Sequence, residues 1–390
     1  MGTCGFSISL VSVCSCWETS NERGIMAKNR FLSEVLELPG SPLEIFEDFY
    51  ERGWTDGLPI IPPTEDLVEA TLAYTDRGRE EEIGKIPVRY APLTVEKVAI
   101  NAVMAGCRPE YLPVLITGME AMLEDSFGLY SQQATTHPCA PLLIVNGPVI
   151  NELDMNYSSG CFGPTNRANA TIGRAVRLLL LNIGGAHPGA GDMATHGEPS
   201  KYSSCIPENE EENPWEPFHV EHGFARDVNT VTVLSAEAGQ NVNNHESVTA
   251  EGMLKSLALA GANSGSNDFV YCNGHITFVL GPEHASTIAA EGVTKQEVRD
   301  YIWENCRIDP LLFSDEQQER LFGRQTKRFE DNPSPLRAVP SKDRIVILVA
   351  GGPGKHSQVV HSFGINTVPI TKAITKKDGS LVKSMEEFRS

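Results

Sequence analysis

Three short apolar runs, each stopped by a glycine–proline turn, constrain the fold more than any other feature: PLLIVNGP (Pro141–Pro148), HITFVLGPEH (His275–His284) and DRIVILVAGGPG (Asp343–Gly354). Runs of strand length with almost no polar interruption belong to strands covered on both faces, and the Gly-Pro pairs end them. Three helical stretches rhyme in the same way: LTVEKVAINAVMAGC (Leu93–Cys107), ATIGRAVRLLLLNIGG (Ala170–Gly185) and VTAEGMLKSLALAGA (Val248–Ala262). Each has a threonine near its start, about three turns of small and aliphatic residues, and a glycine near its exit. Helices alternating with buried-type strands predict a layered α/β fold, with helices packed on a mainly parallel sheet built from repeated helix-plus-strand units.

The 390 residues suffice for a large core and for two or three structural units. Residues 1–37 are expected to be a disordered extension. The opening MGTCGFSISLVSVCSC lacks the basic segment of a secretory signal, and Phe6 stands where a myristoylation motif wants Ser or Thr. Cys4, Cys14 and Cys16 then fall outside any site, and Met26 is an alternative start. Residues 38–90 form a helical and extended segment in which Ser41 and Pro42 open a helix. The α/β core runs over 91–294 and includes a long functional loop at 184–225. A helical segment at 295–338, a C-terminal βα unit at 339–375 that completes the core, and a tail at 376–390 follow.

A net charge of −19 argues against a nucleic-acid partner and requires any anionic substrate to find a local positive site. No apolar run approaches the ~20 residues of a membrane span. Nine cysteines, an odd number without a CxxC pair, fit reduced thiols and a cytoplasmic setting. The expected partner is a small-molecule substrate, with homo-oligomerisation through the apolar helices expected on base rates alone. No cofactor is predicted.

Chemistry concentrates in NYSSGCFGPTNRANATIGRA (Asn156–Ala175), where Cys161 sits between glycines ahead of a helix that Pro164 can open. Unpaired N–H groups at a helix start lower a thiol pKa, and Arg167 adds a formal charge. Cys161 is therefore the candidate nucleophile or redox thiol, with Arg167 stabilising negative charge and Asn166 and Asn169 as substrate contacts. The competing assignment is a small buried hydrophobe in a tight turn. His137, in QQATTHPCAPLL, is the first candidate for the base.

The long loop adds Lys201, Cys205 and Glu208, a thiol beside a carboxylate that would shape or close the site. Its histidines His187, His196, His219 and His222 are the alternative, a metal site, although HExxH spacing is absent. GPEHASTIAAEG begins a helix with Glu283 and His284 in the first turn. GGPGKHSQVVHSFG brings Gly352, Gly354, Lys355, His356 and Ser357 to another expected helix start, a candidate anion cradle. It is not a Walker A loop, because Val349 stands where that motif needs glycine. Asn244, His245 and Ser247 in NVNNHES are expected as turn and cap residues.

GWTDGLPIIPPT, RYAPLTVEKVAINAVMAGCRPEYLPV, ATTHPCAPLLIVNGP, SGCFGPTNRANATIGRA and LGPEHASTIAAEGVTKQEVRDYIWENC together resemble a bacterial family related to the proteins named for a Sec-Gly-Ser-Cys (UGSC) motif. The resemblance spans roughly residues 43–370 and implies a thiol or selenol oxidoreductase. The chain has no Cys-Gly-Ser-Cys; SGCFG, with one thiol, is its nearest counterpart. The expectation is a cysteine-centred enzyme acting on a small anionic organic molecule, by thiol redox chemistry or by cysteine-assisted lysis or hydrolysis. The alternatives are a metal-dependent hydrolase or lyase built on the 184–225 loop, and a non-catalytic small-ligand binding protein.

Overall fold

A computed structural model describes residues 7–11, 31–324 and 335–389. Fourteen elements form its central layers. In chain order they are α1 (Val95–Ala105), α2 (Leu112–Met122), β1 (Ala140–Asn146), α3 (Arg167–Asn182), β2 (Cys205–Pro207), β3 (Thr230–Ala236) and β4 (Gln240–Asn243). There follow α4 (Ala250–Gly261), β5 (Ile276–Leu280), α5 (Pro282–Ala289), α6 (Lys295–Asn305), β6 (Ile345–Val349), β7 (His356–Val360) and β8 (Ile370–Ala373). The fold is α/β, with helices packed on sheets.

The strands form two four-stranded sheets, ordered β8-β3-β1-β2 and β6-β5-β7-β4. The expected mainly parallel sheet is not what forms. In each sheet the end pair alone is parallel, β1 with β2 and β5 with β6, and the other neighbours are antiparallel. The two sheets thus share one pattern of directions and exchange their edges. After β3 the chain crosses to give β4 to the second sheet, and after β7 it returns to give β8 to the first. Nor do the three rhyming strands form a threefold series, since β5 and β6 are parallel neighbours and β1 lies in the other sheet.

Alternation along the strands places the layers. Leu143 and Val145 of β1 and Val231 and Val233 of β3 face α1, α2 and α3. Ile276 and Phe278 of β5, and Ile345 and Ile347 of β6, face α4, α5 and α6. The intervening residues Leu142, Ile144, Leu234, Val279, Val346 and Leu348 meet in a third core between the sheets. The architecture is helix, sheet, sheet, helix. Each sheet is covered on both faces, which is why mixed strands carry the near-continuous apolar runs otherwise typical of parallel ones.

Helix starts follow cap chemistry. Thr94 and Thr249 accept from Lys97 N (3.3 Å) and Gly252 N (3.2 Å), opening α1 and α4. The middle helix departs from the rhyme: α3 begins at Arg167 with Asn166 as its cap, and Thr171 donates back to Arg167 O inside the helix (2.8 Å). Part of the stretch expected to be disordered is ordered: Ser7–Val11 pairs antiparallel with Val35–Pro39, and Leu10 and Val11 are buried. Cys4, Cys14, Cys16 and Met26 lie outside the described residues. The expected tail also packs, with Val382 and Met385 buried in the first core.

Candidate active site

The parallel strands β5 and β6 end side by side at Leu280 and Val349, where their following loops enclose a cleft of about 460 Å³. Its walls are the Gly160–Gly163 turn, Gly281, the Ala350–Gly354 loop and the first residues of β7. The anion cradle expected at a helix start is therefore a loop running into a strand. Gly351 N donates to Tyr157 O (2.8 Å), and Gly354 N donates to Glu283 Oε1 (2.8 Å). Gly352 lies so close to Ser159 that a Cβ would come within 2.0 Å of Ser159 Oγ. Among the described residues its own N–H, on the cleft wall, has no partner.

At the cleft floor, Ser357 Oγ lies 2.8 Å from His284 Nδ1. Geometry fixes the proton positions. His284 Nε2 is 3.2 Å from Asn244 O, which can only accept, so Nε2 carries the hydrogen and Nδ1 is the acceptor. Ser357 therefore donates its O–H to Nδ1, while its oxygen accepts from Gly281 N (3.1 Å). That last contact needs glycine, because a Cβ at position 281 would sit 2.2 Å from His356 O. Burial, reinforced by nearby His356 and Lys355, holds His284 below the usual imidazole range, so the ring is a neutral acceptor near pH 7.

Cys161, Gly352, Gly354 and His356 line this cleft, and Glu283 and His284 support it from the first turn of α5. Lys355 instead donates to His245 O (3.0 Å). His356 is engaged by Asn241 Oδ1 (2.9 Å) and His245 Nε2 (3.2 Å).

The activating environment expected around Cys161 is not assembled. Pro164 and Thr165 lie in the preceding turn because Asn166 takes the cap, so the helix N–H groups begin well past the thiol. Arg167 Nε donates to Gly106 O (2.9 Å). Burial pushes the Cys161 thiol up to about 11, and the side chain packs in the inter-sheet core. Asn169 holds the loop rather than a ligand: its Nδ2 donates to Asn156 O (2.8 Å) and Cys161 O (3.0 Å), and its Oδ1 accepts from Asn156 N (3.1 Å). Asn166 accepts from Asn169 N (2.9 Å) and donates to Asp154 O (2.7 Å).

His137 does not serve Cys161. Its Nε2 bonds Glu237 Oε1 (2.7 Å), and its Nδ1 accepts from Cys139 N (3.3 Å). Cys205 is buried against the first helical layer, its thiol raised far above the usual range by desolvation. Glu208 is buried too, accepting from Asn146 Nδ2 (2.7 Å), Phe218 N (2.8 Å) and Asn213 Nδ2 (2.9 Å), so it ties down a loop. Part of the expected lid is thus interior, with β2 as a sheet strand.

The metal alternative is likewise dispersed. His187 and His196 line a second cleft with Lys201. His219 lies by Arg226 O (3.4 Å), and His222 bonds Phe218 O (2.7 Å). Among the described residues no group of three or more His, Cys, Asp or Glu side chains is arranged to hold a metal. Among those residues, too, no helix is long and apolar enough to cross a membrane.

Sequence reasoning placed Glu283, His284 and Ser357 at loops but did not pair the histidine with the serine. The two lie 73 positions apart, one on α5 and the other on β7. No protein-family model and no curated protein matches the chain, so function rests on the geometry of the clefts.

Proposed function

We propose that the protein is an enzyme that uses Ser357 as a nucleophile on small acyl compounds, hydrolysing an ester or thioester in the glycine-rich cleft. The observation that carries this is the 2.8 Å contact between Ser357 Oγ and a neutral His284 Nδ1 whose tautomer is fixed by Asn244 O. As Oγ attacks the carbonyl carbon, its proton passes to Nδ1, and the imidazolium is held through Nε2–H by Asn244 O. The candidate donor to the oxygen that gains charge is the N–H of Gly352, a residue of the same cleft whose N–H has no partner among the described residues. Collapse expels the alcohol or thiol, which takes the proton from Nδ1. Water then repeats the sequence, releasing the acid and restoring the serine.

This keeps the small substrate and hydrolytic chemistry expected from sequence and moves the nucleophile from Cys161 to Ser357. The thiol has neither a base nor a cation to ionise it; the serine has a base in hydrogen-bond reach.

A panel of p-nitrophenyl esters and acyl thioesters tests the proposal. Ser357→Ala and His284→Asn should each lower kcat/KM by about 10³ or more. Turnover unchanged in Ser357→Ala contradicts it.

A further inference from the structure

A second cleft, of about 290 Å³, opens beside α3, away from the serine. Arg177, from the C-terminal half of that helix, projects to its floor with its side chain 12% exposed. Its Nη2 donates to Ala186 O (3.2 Å) and to Asp192 Oδ2 (3.2 Å). Among the described residues Nε and Nη1 have no partner. These N–H groups are not sealed from solvent, so a ligand in the cleft can take them up in place of water.

The surrounding charges say what that partner is. Lys201 Nζ bonds the same Asp192 Oδ2 (2.6 Å), so two cations share one carboxylate and the trio keeps a net positive charge. Asp56, whose charge also reaches Arg177, is itself paired with Arg174 through two bonds of 2.8 Å. Glu198, on the same wall, has its carboxylate turned to Ser200 Oγ and Ala238 N. The charges acting on His187 are both cationic, Arg89 and Arg177, and they reinforce burial in holding it below the usual imidazole range. Leu181, Pro188 and Ala194 add apolar wall, which suits an organic body better than an inorganic ion.

We infer that this cleft binds a small organic carboxylate, its anionic end on Arg177 and Lys201 and its carbon skeleton against Leu181 and Pro188. In a chain of net charge −19 such an anion is drawn in by the local field of these side chains. The site uses none of the serine machinery, so it stands whether or not Ser357 is a nucleophile.

Calorimetric titration of the full chain with acetate, malonate, succinate and benzoate, beside succinamide and inorganic phosphate, tests this. At least one carboxylate should bind with a Kd of about 1 mM or tighter, and succinamide should not. Arg177→Gln should weaken that binding at least about tenfold. If that variant fails to fold, Lys201→Met, whose melting temperature verifies its fold, should weaken binding about fivefold or more. The inference is overturned if no carboxylate binds by about 50 mM, if phosphate binds more tightly than every carboxylate, or if folded variants bind as the parent does.

Discussion

Replacing Asn169 by alanine separates a structural asparagine from a substrate contact. The side chain makes three bonds that fasten the turn carrying Cys161: to Asn156 N (3.1 Å), Asn156 O (2.8 Å) and Cys161 O (3.0 Å). The last is buried and the other two are partly buried. An unsatisfied buried group costs about 1–3 kcal/mol and a partly buried one less, so Asn169→Ala should destabilise by about 3 kcal/mol. If that cost falls on the turn, the free energy of opening it drops by the same amount. At about 1.4 kcal/mol per decade, Cys161 should then label about 100-fold faster with a thiol reagent at neutral pH. Urea unfolding reads the first quantity, and timed alkylation with peptide mapping reads the second. Asn166→Ala is the comparison, since it removes a helix cap and should cost about 1 kcal/mol. If Asn169→Ala loses under about 1 kcal/mol and Cys161 labels no faster, Asn169 does not hold the turn and the reasoning fails.

Gly281→Ala drives a Cβ to 2.2 Å from His356 O. It should cost about 1–3 kcal/mol in melting experiments and separate Ser357 from His284, with a matching loss of esterase turnover. Cys161→Ala should leave that turnover within about twofold of the parent and cost about 1 kcal/mol, because the thiol packs in a core and carries no step. His275 is held neutral by burial, with its pKa lowered to about 4 despite the pull of Asp268. Its folded pKa is below the unfolded value of about 6.5, so its stabilisation is present above pH ~6.5 and is lost as pH falls towards ~4, by about 3 kcal/mol in all. Urea midpoints measured against pH should show that decline in the parent and a shallower one in His275→Phe.

The layered fold was legible because PLLIVNGP, HITFVLGPEH and DRIVILVAGGPG advertise strands buried on both faces. What covers those faces was not legible. A second sheet against Leu142, Ile144, Val346 and Leu348 leaves the same apolar pattern as a second helical layer, so the periodicity could not separate mixed from parallel pairing. Exchange of β4 and β8 between the sheets is set by non-local pairing and has no local signature. The three residues of β2 are too few to show a period and vanish inside a Gly- and Pro-rich loop. At the site, loop glycines marked Gly352 and Gly354, and the first turn of α5 marked Glu283 and His284. Cys161 misled because Pro164 and Asn166 are both good helix openers, and the structure uses Asn166. His137 could serve a thiol by type alone; its partner Glu237, 100 positions away, is a tertiary fact.

Covalent capture of the nucleophile tests the central claim most directly. The parent protein is treated with a fluorophosphonate at neutral pH and digested, and the modified residue is mapped by mass spectrometry. The adduct should lie on Ser357, disappear in Ser357→Ala and form at least about 100-fold more slowly in His284→Asn. An adduct on Cys161, or none on Ser357 while ester turnover proceeds, would contradict it.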